Sequence, residues 1–247
     1  MIINDIYTVS NKFELMPEKE VVKLLTSYNL PLYLDYINFV NKLGIGIYCN
    51  FVRILSIEQI VQKEVDFQRY WEKNFRWSLE GIDVSEKLVL SSPIIADTTE
   101  GDQIVFCPHS KSKFVVLPRG DSRSYWIPEN LHKIDYWISI VGVERKGSEF
   151  KYFQSWRDRR NRKVSSDLSI GDVSNFKNEI QHQHKFTVGG EVEEITDSGH
   201  ELVLFIPDIG GYIDLWLEEG EASTTIYYDK DYEHLVNRLQ SIIENWV

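Results

Sequence analysis

Three observations in this 247-residue chain predict an α+β fold. Apolar residues recur at helical spacing in separate blocks, each opened or closed by a capping residue, a proline or a glycine. Short strand-like runs lie between the blocks, punctuated by glycine turns. Finally, both halves of the chain end in the same way, as three strands followed by a helix.

Taken in order, Pro17 to Leu25 reads as a short helix, with Glu18 and Glu20 in the first turn, where negative charge suits the helix dipole. Leu30-Pro31 opens a second helix through Tyr33, Tyr36, Ile37, Val40 and Leu43, and Gly44 follows as the residue that ends it. Phe51 to Leu55 is a strand. Ser56-Ile57-Glu58-Gln59 matches a capping box and starts a helix along Ile57, Ile60, Val61 and Val65. The aromatic-rich stretch from Phe67 to Trp77 extends that helix or caps the core. Strands follow at Ser92–Asp97, Gln103–Cys107 and Lys113–Leu117, with Gly101-Asp102 at a turn, and then a helix from Asn130 to Val141. In the second half, strands are expected at Glu201–Ile206, Tyr212–Leu217 and Thr224–Tyr228, with turns at Gly210-Gly211 and Glu219-Gly220. The closing helix carries Tyr232, Leu235, Val236, Leu239, Ile242, Ile243 and Trp246 on one face. The two endings are either a decayed duplication or two instances of a common arrangement.

With 43% hydrophobic and 13% aromatic residues the chain can bury a substantial core. No apolar run approaches the ~20 residues of a membrane helix, and the N-terminus lacks the basic and apolar regions of a signal peptide. Two cysteines, Cys49 and Cys107, suit a reducing compartment better than a disulfide framework. The expectation is a soluble cytoplasmic protein. Its formal net charge of -11 is uneven: residues 1–145 carry -3 and residues 146–247 carry -8. Beyond Lys163 there are 17 acids against 4 bases. Such an excess repels nucleic acid and membrane phosphates and attracts basic partners over a Debye length of ~8 Å. It also serves solubility without any partner.

The order helix, strand, helix, meander and closing helix rests on three stretches of residues. The first is Leu30-Pro31-Leu32-Tyr33-Leu34-Asp35-Tyr36-Ile37-Asn38-Phe39-Val40, and the second is Phe51–Leu55 with Ser56 to Ile60. The third is Gly101-Asp102-Gln103-Ile104-Val105-Phe106, after which Pro128-Glu129-Asn130-Leu131 opens the last helix. This resembles the SUKH superfamily, which includes the Syd protein, a fungal cell-wall synthesis regulator and many bacterial immunity proteins. The resemblance covers about residues 30–141. Where the family has an Asn-Gly-Gly-like loop, this chain has Leu43-Gly44-Ile45-Gly46-Ile47-Tyr48, which meets only the need for glycine. It implies a non-enzymatic α+β domain, with a mixed or antiparallel sheet flanked by helices, that binds another protein. In bacterial members that partner is often a basic nuclease toxin.

Other candidate chemistry is weaker. His182-Gln183-His184, with His200, offers three possible metal ligands, but the surrounding spacing is helical and residues i and i+2 diverge there. Cys107-Pro108-His109 reads as a core cysteine beside a turn histidine. Asp97, Glu100 and Asp102, like Asp208 and Asp214, read as turn residues before cation ligands. Gly189-Gly190 and Gly210-Gly211 lack the sequence that follows a phosphate loop. The run Arg157-Asp158-Arg159-Arg160-Asn161-Arg162-Lys163 beside Trp156 has nucleic-acid flavour, but internal pairing with carboxylates such as Glu149 or Asp167 is the stronger expectation.

Three segments are therefore expected: an N-terminal helical extension over 1–27, a SUKH-like domain over 28–145 and a smaller acidic α+β unit over 146–247. The expected function is stoichiometric binding of a protein, as an immunity protein that occludes a toxin. No catalytic residue, metal or cofactor is expected. The expected contacts are the dense acidic clusters Glu191, Glu193, Glu194 and Glu218, Glu219, Glu221. A scaffold protein of the same fold, and an enzyme built on the carboxylates or histidines, are the competing classes.

Overall fold

The strand-forming runs sort into two sheets, each with helices packed on it, in an α+β fold. The computed structural model describes residues 6–74, 85–107, 113–117, 125–126, 150–165, 168–169, 172–196, 199–218 and 221–246. In chain order the elements begin with β1 (Tyr7–Thr8), α1 (Glu18–Ser27), α2 (Leu34–Lys42), β2 (Gly46–Tyr48), β3 (Val52–Ile54), α3 (Ile57–Asn74) and α4 (Glu86–Leu90). Then come β4 (Ile94–Thr98), β5 (Gln103–Cys107), β6 (Lys113–Leu117), β7 (Tyr125–Trp126), β8 (Tyr152–Ser155) and β9 (Arg159–Val164). The remainder is α5 (Val173–His182), β10 (Gly190–Thr196), β11 (Gly199–Ile206), β12 (Gly211–Glu218), β13 (Glu221–Asp229) and α6 (Glu233–Glu244). Two units result. One comprises Met1–Ile6, Phe13–Lys146 and Phe153–Ser155; the other comprises Tyr7–Lys12, Gly147–Tyr152 and Trp156–Val247.

In the first unit the strands run in the order β8-β2-β3-β4-β5-β6-β7, and each neighbouring pair is antiparallel. Alternation along β5 sends Val105 and Cys107 to a cluster with Ile60, Phe67, Trp71 and Val89 from α3 and α4. Phe106, on the other side, packs on Phe114 and on the rings of Tyr33 and Tyr36, beside and within α2. Helices thus cover both faces, which explains the continuous apolar run Ile104 to Cys107. The capping box forms as the sequence predicts: the Gln59 amide donates to Ser56 Oγ (3.1 Å) and the Ser56 amide donates to Gln59 Oε1 (2.8 Å). Gly44 sits at φ +74° beyond α2, where a Cβ would lie 2.0 Å from the Glu14 carbonyl oxygen, so both the conformation and the close approach require glycine. Beneath α3, buried Asp97 accepts from Arg53 Nε (2.6 Å) and Lys63 Nζ (2.8 Å).

Among the described residues 6–27 the helix is confined to Glu18–Ser27, and Tyr7–Thr8 is extended. β2 and α4 were not legible in the sequence, because three and five residues are too few to show a period. The expected helix over 130–141 and the Phe75–Trp77 extension lie outside the described residues.

The second unit holds an antiparallel sheet in the order β10-β11-β12-β13-β9. Its inner face presents Leu202, Leu204, Ile213, Leu215, Leu217 and Ile226 to Phe176 and Ile180 of α5 and to Val236, Leu239 and Ile243 of α6. The basic run folds as the edge strand β9 and pairs internally with carboxylates, as expected. Arg159 Nη1 donates to Asp229 Oδ1 (2.9 Å), Arg162 pairs with Glu233, and Arg160 lies 3.5 Å from the same carboxylate. Glu149 and Asp167 lie outside the described residues. Register puts Arg160 and Arg162 on the helix-covered face at one edge, and Glu191 and Glu193 on that face at the other. Inward-facing charge blunts both edges against pairing with another chain.

Candidate functional site

The side of the second sheet opposite α5 and α6 has two zones, both set by strand alternation. At one end Phe205 and Tyr212 are buried among Tyr7, Phe150, Tyr152 and Tyr227, with ring centroids 4.6–5.6 Å apart from Tyr7 to Tyr227 through Phe205 and Tyr212. The segment Tyr7–Lys12 is fastened over this end. Ser10 Oγ donates to buried Asp229 (2.6 Å), and Lys12 Nζ donates to Asp231 (2.6 Å).

At the other end the face is acidic. Asp214, Trp216 and Glu218 alternate along β12, and Glu201 lies directly across from Trp216 on β11. Ser223 lies across from it on β13. Asp214, Trp216 and Glu201 are half-buried, whereas Glu218 and Ser223 are exposed. The Trp216 indole N–H donates to Glu218 Oε1 (3.0 Å). Gly199 lies beneath them: a Cβ there would be 3.2 Å from Trp216 Cζ2 and 3.1 Å from Glu218 Cγ. The charge of this zone is felt at its border. Burial, reinforced by the Asp214 and Glu201 carboxylates, holds the Tyr227 phenol above its ordinary pKa. Tyr212 is raised by burial and then by Tyr227 and Asp214, against an opposing effect of Arg159.

Of the two clusters of glutamates expected to bind a partner, the described members divide between the two faces of the sheet. Glu191 pairs with Lys177 of α5, and Glu193 lies 2.7 Å from His200, both on the helix-covered face. Register pairs Glu194 with Glu201 and Glu221 with Glu218, in the rows of the acidic outer zone. Glu219 lies outside the described residues. Sequence reasoning passed over Glu201 and Trp216 and read Asp214 as a turn residue, whereas it lies within β12. The signal was present in the period of two through Tyr212, Asp214, Trp216 and Glu218, hidden because density of charge, not alternation, guided the choice.

No group of three or more His, Cys, Asp or Glu side chains among the described residues could hold a metal. His182 ends α5, His184 lies past it near Glu179 (3.4 Å), and His200 is buried in β11. His200 Nε2 lies at ion-pair distance from Glu193 but out of line for a hydrogen bond, and Nδ1 has no hydrogen-bond partner among the described residues. Cys107 is buried with its sulfur 3.2 Å from Ser92 Oγ, and His109 lies outside the described residues. Asp97 is held by Arg53 and Lys63, Asp102 by Thr98, and Asp208 accepts the Thr187 amide (2.5 Å), all structural roles. No helix among the described residues is long and apolar enough to cross a membrane.

Compared with known proteins, the chain matches no family model, and no curated protein or solved structure is similar to it at a significant level.

Proposed function

We propose that this chain is a non-catalytic protein-binding module that takes a basic protein on the acidic zone of its second sheet. The observation that carries this reading is the cross-strand set Glu201, Asp214, Trp216 and Glu218: carboxylates gathered around an aromatic side chain on the face opposite the helices. Aromatic anchors with a charged rim suit protein interfaces, and the field of the 17 acids beyond Lys163 speeds encounter with a positive partner. The resemblance of residues 30–141 to the SUKH superfamily, many of whose bacterial members are immunity proteins, favours a toxin as that partner, neutralised one-to-one in the cytoplasm by occlusion, without turnover. Nucleic acid and membrane are disfavoured as ligands by the same charge.

The test is co-expression with toxins encoded beside its gene, scored by survival and by co-purification of the pair. Rescue and a stable complex are expected, and Glu201→Lys combined with Glu218→Lys should abolish both. Survival without a complex, or a complex indifferent to the double reversal, removes the acidic zone as the binding face. Failure of rescue and of co-purification with every such toxin removes the immunity role.

A further inference from the structure

We infer that Trp216 is the anchor of this face and that the group it receives is a guanidinium, an arginine side chain of the partner; this rests on the protein-binding reading above. Carboxylates alone attract any cation, so the selectivity has to come from the aromatic ring. Trp216 is half-buried on the outer face, and its orientation is held at two points. Its indole N–H is tied to Glu218 Oε1 at 3.0 Å, and its benzo ring lies against Gly199, where any side chain would press on both the ring and Glu218. A side chain immobilised before binding loses little rotamer entropy on binding. The carboxylate at the indole nitrogen also adds electron density to the ring, which strengthens its attraction for a cation.

Around the ring, register sets Glu201 on one side and the small, exposed Ser223 on the other. Asp214 follows two residues back along the same strand. Among the described residues the ring is thus flanked by an exposed hydroxyl on one side and a carboxylate on the other. A planar guanidinium can stack on the indole while its in-plane N–H groups reach neighbouring carboxylates, whereas an ammonium has no plane to stack and gives up a stronger hydration shell to approach the ring. An anionic group, whether phosphate or carboxylate, is repelled by the same rim.

The experiment uses the full chain with a hexa-arginine peptide and a hexa-lysine peptide as probes, in low salt. Affinity is measured by calorimetry, and the Trp216 indole N–H resonance is assigned by its loss in Trp216→Phe. Hexa-arginine should shift that resonance and bind more tightly than hexa-lysine. Trp216→Leu should weaken hexa-arginine binding about three- to thirtyfold, with Trp216→Phe between it and the parent. Circular dichroism of both variants checks that the sheet is intact, and the graded Phe variant carries the test should the Leu variant fail to fold. Equal affinity for the two peptides, absence of binding by hexa-arginine, or an unshifted Trp216 resonance overturns the inference. If Glu201→Gln and Glu218→Gln weaken binding while the Trp216 variants do not, the anchor is wrong and the acidic-face reading survives. If none of the four variants changes binding, both fail.

Discussion

Removing the Asp229 carboxylate should be among the most damaging single changes in the second unit. The side chain is 1% exposed and accepts two hydrogen bonds, from Ser10 Oγ at 2.6 Å and from Arg159 Nη1 at 2.9 Å. Arg159 is itself only 9% exposed and also donates to the Gly210 carbonyl oxygen. Asp229→Ala leaves a guanidinium out of water with its opposing charge gone, and it frees the hydroxyl that fastens the Tyr7–Lys12 segment. Breaking a buried pair from one side costs about 3–5 kcal/mol, a large share of a total stability of about 5–15 kcal/mol. Ser10→Ala removes the bond to Asp229 and the one that Ser10 Oγ accepts from the Lys12 amide (3.0 Å) but strands no charge, and should cost about 1–3 kcal/mol. Arg159→Met combined with Asp229→Ala should be less destabilising than Asp229→Ala alone, since no unpaired charge then remains. Urea unfolding followed by far-UV circular dichroism measures all three. A loss below about 1 kcal/mol for Asp229→Ala, or a double variant no better than the single one, would refute this account of the buried pair.

Ser56→Ala removes the bond that Ser56 Oγ accepts from the Gln59 amide, leaving the backbone bond to Gln59 Oε1, and should cost about 0.5–2 kcal/mol, read by the same unfolding experiment. Burial raises the phenols of Tyr36 and Tyr212, so each binds its proton more tightly folded than unfolded. The stability they contribute is fully present below the ordinary tyrosine pKa of about 10 and is lost as pH rises through the folded value. An alkaline absorbance titration should therefore show these two ionising together with unfolding, after the exposed tyrosines; a single reversible step for all 13 would contradict it. The hydrogen bond from Lys230 holds Asp158 below the ordinary carboxylate range, a contribution present above that range and lost as pH falls through the folded value. Lys230→Ala should return the Asp158 carboxyl resonance to an ordinary titration, and an unmoved midpoint would show that Lys230 is not the cause.

What could be read from residue order was whatever a few consecutive residues decide for themselves. The reciprocal bonds of Ser56 and Gln59 follow from spacing alone, as does the stop at Gly44. The strands Gln103–Cys107 and Lys113–Leu117 coincide with their expected limits. The basic run around Arg160 was harder, because a strand that turns Arg160 and Arg162 toward Glu233 on a helix some seventy residues away has no local hydrophobic signature. The acidic clusters were misleading in a different way. Glu193 and Glu194 are neighbours in the chain, yet register pairs Glu193 with Leu202 and Glu194 with Glu201. A period of two separates consecutive residues however dense their charge.

By itself, then, the sequence determined the α+β class, the capped helices, the strand-forming runs and the concentration of negative charge beyond Lys163. Each depends on propensity, capping or composition, which act over a turn or a few residues. Tertiary structure alone decided that Glu201 joins the face on which Asp214, Trp216 and Glu218 alternate, that Glu191 and Glu193 do not, and that Gly199 makes room for the indole. These depend on which strands pair and in which register. Register is chosen by the burial of Leu202, Leu204, Ile213 and Leu215 against α5 and α6, a global minimisation of exposed apolar surface that no short window of sequence contains.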